Sequence, residues 1–181
     1  MRQNLDQSLA LLARTPVALD ALLRGLPDAW TRSREGKETW TVRDVIAHLA
    51  ELERTDWMPR MRRLLQEGEG RAFDPVDREA FMRNARGKSV ARLLGEFARR
   101  REKNLDEVRA LRLGRADLTR RGRHPSLGTV TLAELVAAWA VHDLTHLHQV
   151  SRILAFQYRE AVGPWERYLG VLQCNGHSAA V

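Results

Sequence analysis

Cysteine is almost absent from this chain of 181 residues, which contains only Cys174. A single cysteine excludes an internal disulfide framework and a thiolate zinc knuckle, and it fits the reducing cytoplasm. Long apolar runs are also missing: no stretch of the sequence approaches the roughly 20 residues that span a bilayer. The amino-terminal segment lacks the apolar core of a secretory signal. We therefore expect a soluble, cytoplasmic protein with no membrane partner.

Sustained alternation of apolar and polar residues is lacking as well, so we predict no substantial β-sheet. Leucine, alanine, arginine and glutamate are abundant, and all four favour helices. Apolar residues recur at helical spacing, and Pro16 and Pro59 should interrupt or kink this pattern. The sequence therefore predicts an all-α protein. Its long helices are expected at 15–25 after a helical lead-in, 41–67, 89–111 and 131–160, with short helices at 77–84 and 164–173.

The net charge of +7 and the pI of about 10.6 raise the question of nucleic-acid binding. Most basic residues alternate with acidic ones at helical spacing, as in "ARRREKNLDEVR" (98–109). The densest basic cluster, "LTRRGRHP" (118–125), is expected in a loop. This scatter favours a basic solvated surface over a nucleic-acid-binding face.

Histidines are concentrated in "HDLTHLHQ" (142–149), inside a segment that otherwise reads as a buried helix. His142 and His146 are one helical turn apart on the core-facing stripe, whereas His148 points elsewhere and should be exposed. His48, in the second long helix, also faces inward. Three inward imidazoles need partners for their ring nitrogens, and a shared divalent metal would supply one.

Alternative interpretations of these histidines remain. A lone inward histidine is more often a hydrogen-bonded core residue than a ligand. HDLTH also differs from the HExxH pattern of zinc proteases, because Asp143 is shorter than the glutamate it would replace. If a metal is bound, Asp44 and Glu51 are the nearby carboxylates that could accept a hydrogen bond from the other ring nitrogen of His48.

Two stretches, "WTVRDVIAHLAELE" and "HPSLGTVTLAELVAAWAVHDLTHLHQVSR", resemble the DinB/YfiT-like superfamily over roughly residues 10 to 160. The resemblance implies one domain over 1–181, with a bundle core at about 10–160 and a short helical or disordered tail. It implies a four-helix bundle with long crossover connections and a homodimer. It also implies a divalent metal, zinc before nickel, held by His48, His142 and His146.

The same resemblance suggests a thiol-dependent S-transferase, in which a low-molecular-weight thiol is activated by the metal and attacks a small electrophile. Arg101, predicted on the inward face of its helix, could bind an anionic part of either partner, or could pack its stem and reach water. Trp40, Trp57 and Trp139 could line an apolar pocket or belong to the core.

Two other functions stay open. A metal-dependent hydrolase would need a general base, for which Asp143 and Glu51 are the candidates. A non-catalytic metal-binding stress-response protein would need none. Cys174 and His177 lie in the polar tail and are not expected to bind the metal.

Overall fold

The computed structural model describes residues 4–77 and 79–173, and it is mainly helical. Cys174 and His177 lie outside the described residues. Within these ranges, no helix is both long and apolar enough to cross a membrane. The helices are α1 (Leu5–Leu23), α2 (Asp28–Thr31), α3 (Val42–Thr55), α4 (Trp57–Glu67), α5 (Ala80–Ala85), α6 (Val90–Ala110), α7 (Arg115–Leu118), α8 (Leu132–Phe156) and α9 (Gly170–Gln173), with 3-10 turns at Gly68–Gly70 and Gly163–Tyr168 and strands β1 (Arg121–His124) and β2 (Gly128–Thr131).

Four long helices form the bundle: α1, α3, α6 and α8. Helix α1 packs mainly on α6 and α8. Among the long helices α3 contacts the same two, α6 more than α8, and it also packs on the short helix α5. The consecutive helices α1 and α3 therefore stand diagonally opposite each other, which requires long connections between successive helices. This order places α3 beside α8, the two helices that carry the inward histidines.

Helix α1 is longer than predicted, because it runs through Pro16 instead of starting there. A proline in a helix leaves the carbonyl four residues earlier without its usual amide donor. Here that carbonyl belongs to Leu12, and it accepts a hydrogen bond of 2.7 Å from Nη1 of Arg101 on α6. A remote side chain thus replaces the donor that Pro16 removes, and the helix continues.

The segment predicted as one kinked helix over 41–67 is two helices. Helix α3 ends at Thr55, and Asp56 adopts φ −117° and ψ −70° before α4 begins. The break lies just before Pro59 because its ring crowds the carbonyl of Thr55 and offers that carbonyl no amide. Pro59 then falls in the first turn of α4, where a proline is tolerated.

The starts of α3 and α8 agree with the sequence. The Thr41 and Thr131 hydroxyls accept from the backbone amides of Asp44 and Glu134, whose carboxylates accept in return from the threonine amides. Ser89 caps α6 through a single bond, in which its hydroxyl accepts from the amide of Arg92. Helix α8 ends at Phe156, earlier than the predicted 160.

The expectation of no substantial sheet needs a small correction. Strands β1 and β2 form an antiparallel hairpin in which Arg121 pairs with Thr131. The basic cluster over 118–125 is therefore partly strand, and Gly122 of β1 packs tightly against Leu64 and Phe73. Strands of four residues are too short to show alternation, so tertiary packing and not local pattern creates this hairpin.

Candidate metal centre

Three imidazoles from two helices meet on one side of the bundle. His48 comes from α3, and His142 and His146 come from successive turns of α8. Nε2 of His142 lies 3.2 Å from Nε2 of His48 and 3.1 Å from Nε2 of His146. The sequence placed all three residues on inward faces, and the structure brings their Nε2 atoms to a common point.

The spacing of these nitrogens fits one tetrahedral metal ion. A zinc–nitrogen bond of about 2.05 Å gives a tetrahedral edge of about 3.3 Å between ligand nitrogens. Two of the three separations, 3.2 and 3.1 Å, are close to that edge, and all three ligand nitrogens lie within 4.8 Å of one another. Hydrogen bonding alone satisfies the cluster less well, because Nε2 of His142 meets two other ring nitrogens and can act toward them only as donor or only as acceptor. The donor set therefore suits a divalent ion.

Burial keeps these side chains in the neutral form that metal binding requires. Burial, with a smaller contribution from neighbouring His146, lowers the pKa of His48 to about 3. Burial also lowers the pKa of His142 to about 2, and the neighbouring histidines and Arg101 add to this shift. For His146 burial again lowers the pKa, partly opposed by its hydrogen bond to Gln149. All three imidazoles are therefore ready to donate a lone pair at neutral pH.

The orientation of His146 is fixed by Gln149, a partner that the sequence analysis missed. Nδ1 of His146 lies 2.8 Å from Oε1 of Gln149. Because an amide oxygen only accepts, Nδ1 carries the proton and Nε2 keeps the lone pair. The i,i+3 spacing on α8 was the signal for this contact. Nδ1 of His142 is buried with no hydrogen-bond partner in the described part of the chain.

The two carboxylates suggested as partners for His48 are engaged elsewhere. Oδ2 of Asp44 accepts from the amide and hydroxyl of Thr41 at 3.0 and 2.7 Å. Glu51 accepts from Arg54 at 2.5 Å and from Nδ2 of Asn84 at 3.1 Å. The sequence spacing put both carboxylates near His48 along α3, but local capping and ion pairing direct them away.

Indole rings surround the histidines. The ring centroid of Trp40 is 4.8 Å from that of His48 and 6.0 Å from that of His146. Trp57 meets His142 edge to face at 5.2 Å and stacks on Trp139 at 5.8 Å. Trp40 and Trp57 thus border the histidine cluster, whereas Trp139 is core.

A buried ion cluster lies behind the histidines. Arg101, only 1% exposed, donates to Asp143 from Nη1 at 2.6 Å and Nη2 at 2.9 Å, and to Glu53 from Nη2 at 2.8 Å. Neither expectation for Arg101 describes this arrangement: its guanidinium reaches neither an open site nor water. Asp143 faces Arg101, so its carboxylate is also committed within the core.

Glu53 is the centre of this cluster, and the sequence analysis did not single it out. Besides Arg101, its carboxylate accepts from Nε1 of Trp139 at 2.9 Å and from Nδ2 of Asn104 at 2.9 Å. A charged residue on the inward face of α3 was the available signal. Its partners are about 50 or more residues away in the chain, so spacing could not identify them.

A family model of the DinB superfamily matches residues 11–150. The chain belongs to the DinB superfamily. A comparison with curated proteins found no match.

Among solved structures, this DinB superfamily member is similar to YfiT from Bacillus subtilis. The TM-score is 0.73 at 20% identity, over 89% of this chain and 90% of that one. YfiT is described as a probable metal-dependent hydrolase with an unusual four-helix bundle topology. TT2238, described as a four-helix bundle protein, matches with a TM-score of 0.56 at 25% identity over 80% of this chain and 95% of that one. These likenesses show the four-helix bundle fold.

Proposed function

We propose that this member of the DinB superfamily is an enzyme that depends on one divalent metal ion, zinc before nickel, bound by His48, His142 and His146. The observation that carries the proposal is the convergence of three neutral imidazoles: their ligand nitrogens all lie within 4.8 Å of one another, and two of the separations are close to a tetrahedral edge. Three protein ligands leave a fourth position for an exogenous ligand, as in catalytic zinc sites. An ion held there would act as a Lewis acid and favour the ionised form of a bound thiol or water.

Thiol transfer is the chemistry we favour. In this proposal a low-molecular-weight thiol would lose its proton to solvent, and its sulfur would form a bond to a carbon of a small electrophile as the leaving group on that carbon departs with its bonding electron pair. Hydrolysis needs a general base, and the two candidates are ion-paired: Asp143 with Arg101 and Glu51 with Arg54. Thiol transfer needs no such base once the thiol is ionised. Trp40 and Trp57 would line the approach to the metal ion and exclude water from it.

Hydrolysis is the second candidate, because the similar structure YfiT is described as a probable metal-dependent hydrolase. A metal-binding protein without catalysis is the third. Cobalt-loaded protein separates the first two, since a thiol that ligates cobalt adds a sulfur-to-metal absorption band. We expect this band with glutathione or cysteine. Its absence with both thiols, together with cleavage of a model ester, would favour hydrolysis.

Metal content tests the proposal directly. We expect about one divalent ion per chain in untagged protein by mass spectrometry, and its loss in the His48→Ala and His146→Ala variants. His148→Ala is the matched control, because that histidine is exposed on the same helix. Protein that contains no metal and takes up neither zinc nor nickel on titration would overturn the proposal.

We also propose a homodimer, as the resemblance implies. The outer face of α8 exposes Val141 and Leu144. Contact between two copies would remove the apolar surface of these side chains from water. Light scattering on the purified protein tests this proposal, and a monomer mass at micromolar concentration would contradict it.

A further inference from the structure

A surface cavity of about 570 Å³ lies next to the histidine cluster. It is formed by the segment from Arg34 to Asp44 on one side and by residues 82–87 on the other. Its volume is within the range of small-molecule sites. Trp40 belongs to its wall and also contacts His48 and His146, so the cavity and the candidate metal ligands share this indole.

Four positively charged side chains line the cavity. Arg34, Lys37, Arg43 and Arg86 line it, and none of them forms an ion pair with another described residue. Elsewhere the chain pairs its arginines extensively: Arg24, for example, contacts Asp20, and Arg62 contacts Glu107. Two acidic residues also line the cavity, Glu38 and Asp44. Four cations against two carboxylates leave the wall with a positive balance of charge.

Backbone carbonyls hold two of these cations in place without neutralising them. Nη2 of Arg43 donates to the carbonyls of Ala85 at 2.5 Å and Lys88 at 3.1 Å. Nη1 of Arg34 donates to the carbonyl of Lys37 at 3.2 Å. A carbonyl carries no net charge, so each guanidinium keeps its full charge and remaining donors. Arg43 also ties α3 to the loop that carries Arg86.

We infer that this cavity binds the anionic group of a small molecule, a carboxylate or a phosphate, whose remaining part lies against Trp40 toward the histidines. Arginine donors recognise the oxygens of both anions, and Lys37 adds a point charge. The indole of Trp40 and the half-exposed Met82 offer apolar surface for an organic part of the ligand. The inference deepens the proposed function, on which it rests, because it names the substrate class of the same site.

The probe is phenyl phosphate, titrated into metal-free protein by calorimetry, with benzoate, inorganic phosphate and neutral benzyl alcohol for comparison. We expect phenyl phosphate to bind, benzyl alcohol not to bind, and the affinity for phenyl phosphate to fall as salt is added. Tighter binding of phenyl phosphate than of benzoate would identify phosphate as the preferred anion, and the reverse order would identify carboxylate.

The double variant Lys37→Ala, Arg86→Ala should weaken phenyl phosphate binding by at least about fivefold, because two exposed cations are removed from the rim. The matched control is Arg99→Ala, Lys103→Ala, which removes the same charge from an exposed face of α6 outside the cavity. This control should change the affinity by less than about twofold. Equal losses in both double variants, or no binding at millimolar probe, would overturn the inference.

Metal content of the same variants separates the two proposals. A Lys37→Ala, Arg86→Ala protein that keeps its metal and loses the anion supports both. Anion binding in a wild-type protein that takes up no metal would leave the cavity site standing and remove the proposed function. Metal uptake without anion binding would leave the proposed function standing and remove the cavity site.

Discussion

Replacing Arg101 by methionine tests how much the buried ion cluster stabilises the bundle. The variant removes three charge-assisted hydrogen bonds, two to Asp143 and one to Glu53, and the bond to the carbonyl of Leu12 that compensates for Pro16. Methionine keeps much of the apolar volume of the arginine stem. The loss in unfolding free energy therefore comes mainly from removing the charge and its hydrogen-bond donors, which leaves two carboxylates buried without a cation.

The expected destabilisation is large. Hydrogen bonds to charged groups contribute about 1.5 kcal/mol each at the low end, so three give roughly 4.5 kcal/mol. This agrees with the roughly 3–5 kcal/mol lost when one partner of a buried ion pair is removed. At roughly 2–4 °C per kcal/mol for a chain of this size, a loss of about 4.5 kcal/mol should lower Tm by about 9–18 °C.

Urea and thermal unfolding followed by circular dichroism measure this loss. The control is Arg109→Met on the same helix, where the ion pair to Asp106 is 2.7 Å long and both side chains are more than half exposed. The unfolding free energy of that variant should fall by less than about 1 kcal/mol. If Arg101→Met is too unstable to measure, Arg101→Lys keeps the charge without the fork and should lose an intermediate amount. Similar small losses for Arg101→Met and Arg109→Met would refute the reasoning.

Three further predictions concern single positions. Burial raises the pKa of Asp56 from 3.8 to about 6, so the folded protein keeps a proton that the unfolded chain releases. The free energy of unfolding should therefore fall by about 3 kcal/mol as the pH rises from about 4 to 6. Asp56→Asn should remove this fall in urea unfolding, and an unchanged dependence of the unfolding free energy on pH would contradict the prediction. A Cβ on Gly122 would lie 3.1 Å from two packed side chains, so Gly122→Ala should cost about 1–3 kcal/mol, whereas Gly70→Ala, with open space around it, should be nearly neutral. Gln149→Leu should weaken zinc binding about tenfold in a chelator competition, because His146 loses the acceptor that orients it; unchanged affinity would exclude that role.

Local signals predicted the parts of this molecule that local chemistry decides. The threonines at 41 and 131 marked the starts of α3 and α8, because a capping box needs only residues three apart. The i,i+4 spacing of His142 and His146 placed both on one face, and the helical stripe of α3 placed His48 inward. These faces made a shared site possible, and the resemblance to the DinB/YfiT-like superfamily implied that the three histidines form it.

The features that the sequence did not predict depend on contacts between distant residues. Pro16 is harmless in α1 only because Arg101, 85 positions later, supplies a donor to Leu12. From the sequence, Arg101 was a candidate for binding an anion, because its distance along the chain from Glu53 gives no sign that the two side chains pair. The hairpin at 121–131 likewise forms through packing on α4 and on the segment around Phe73, not through its own alternation.

The neighbours His142 and Asp143 fix the register of α8 from two sides. One side chain joins the histidines and the next joins Arg101 in the core. Successive helical residues are rotated by about 100°, so one residue inserted or deleted between Thr131 and His142 would misplace both side chains together. Such a change would bury a charge without its partner and remove a histidine from the candidate metal centre in the same step. Length changes should therefore be accepted in the exposed turn at 125–127, and the first three turns of α8 should accept substitutions only.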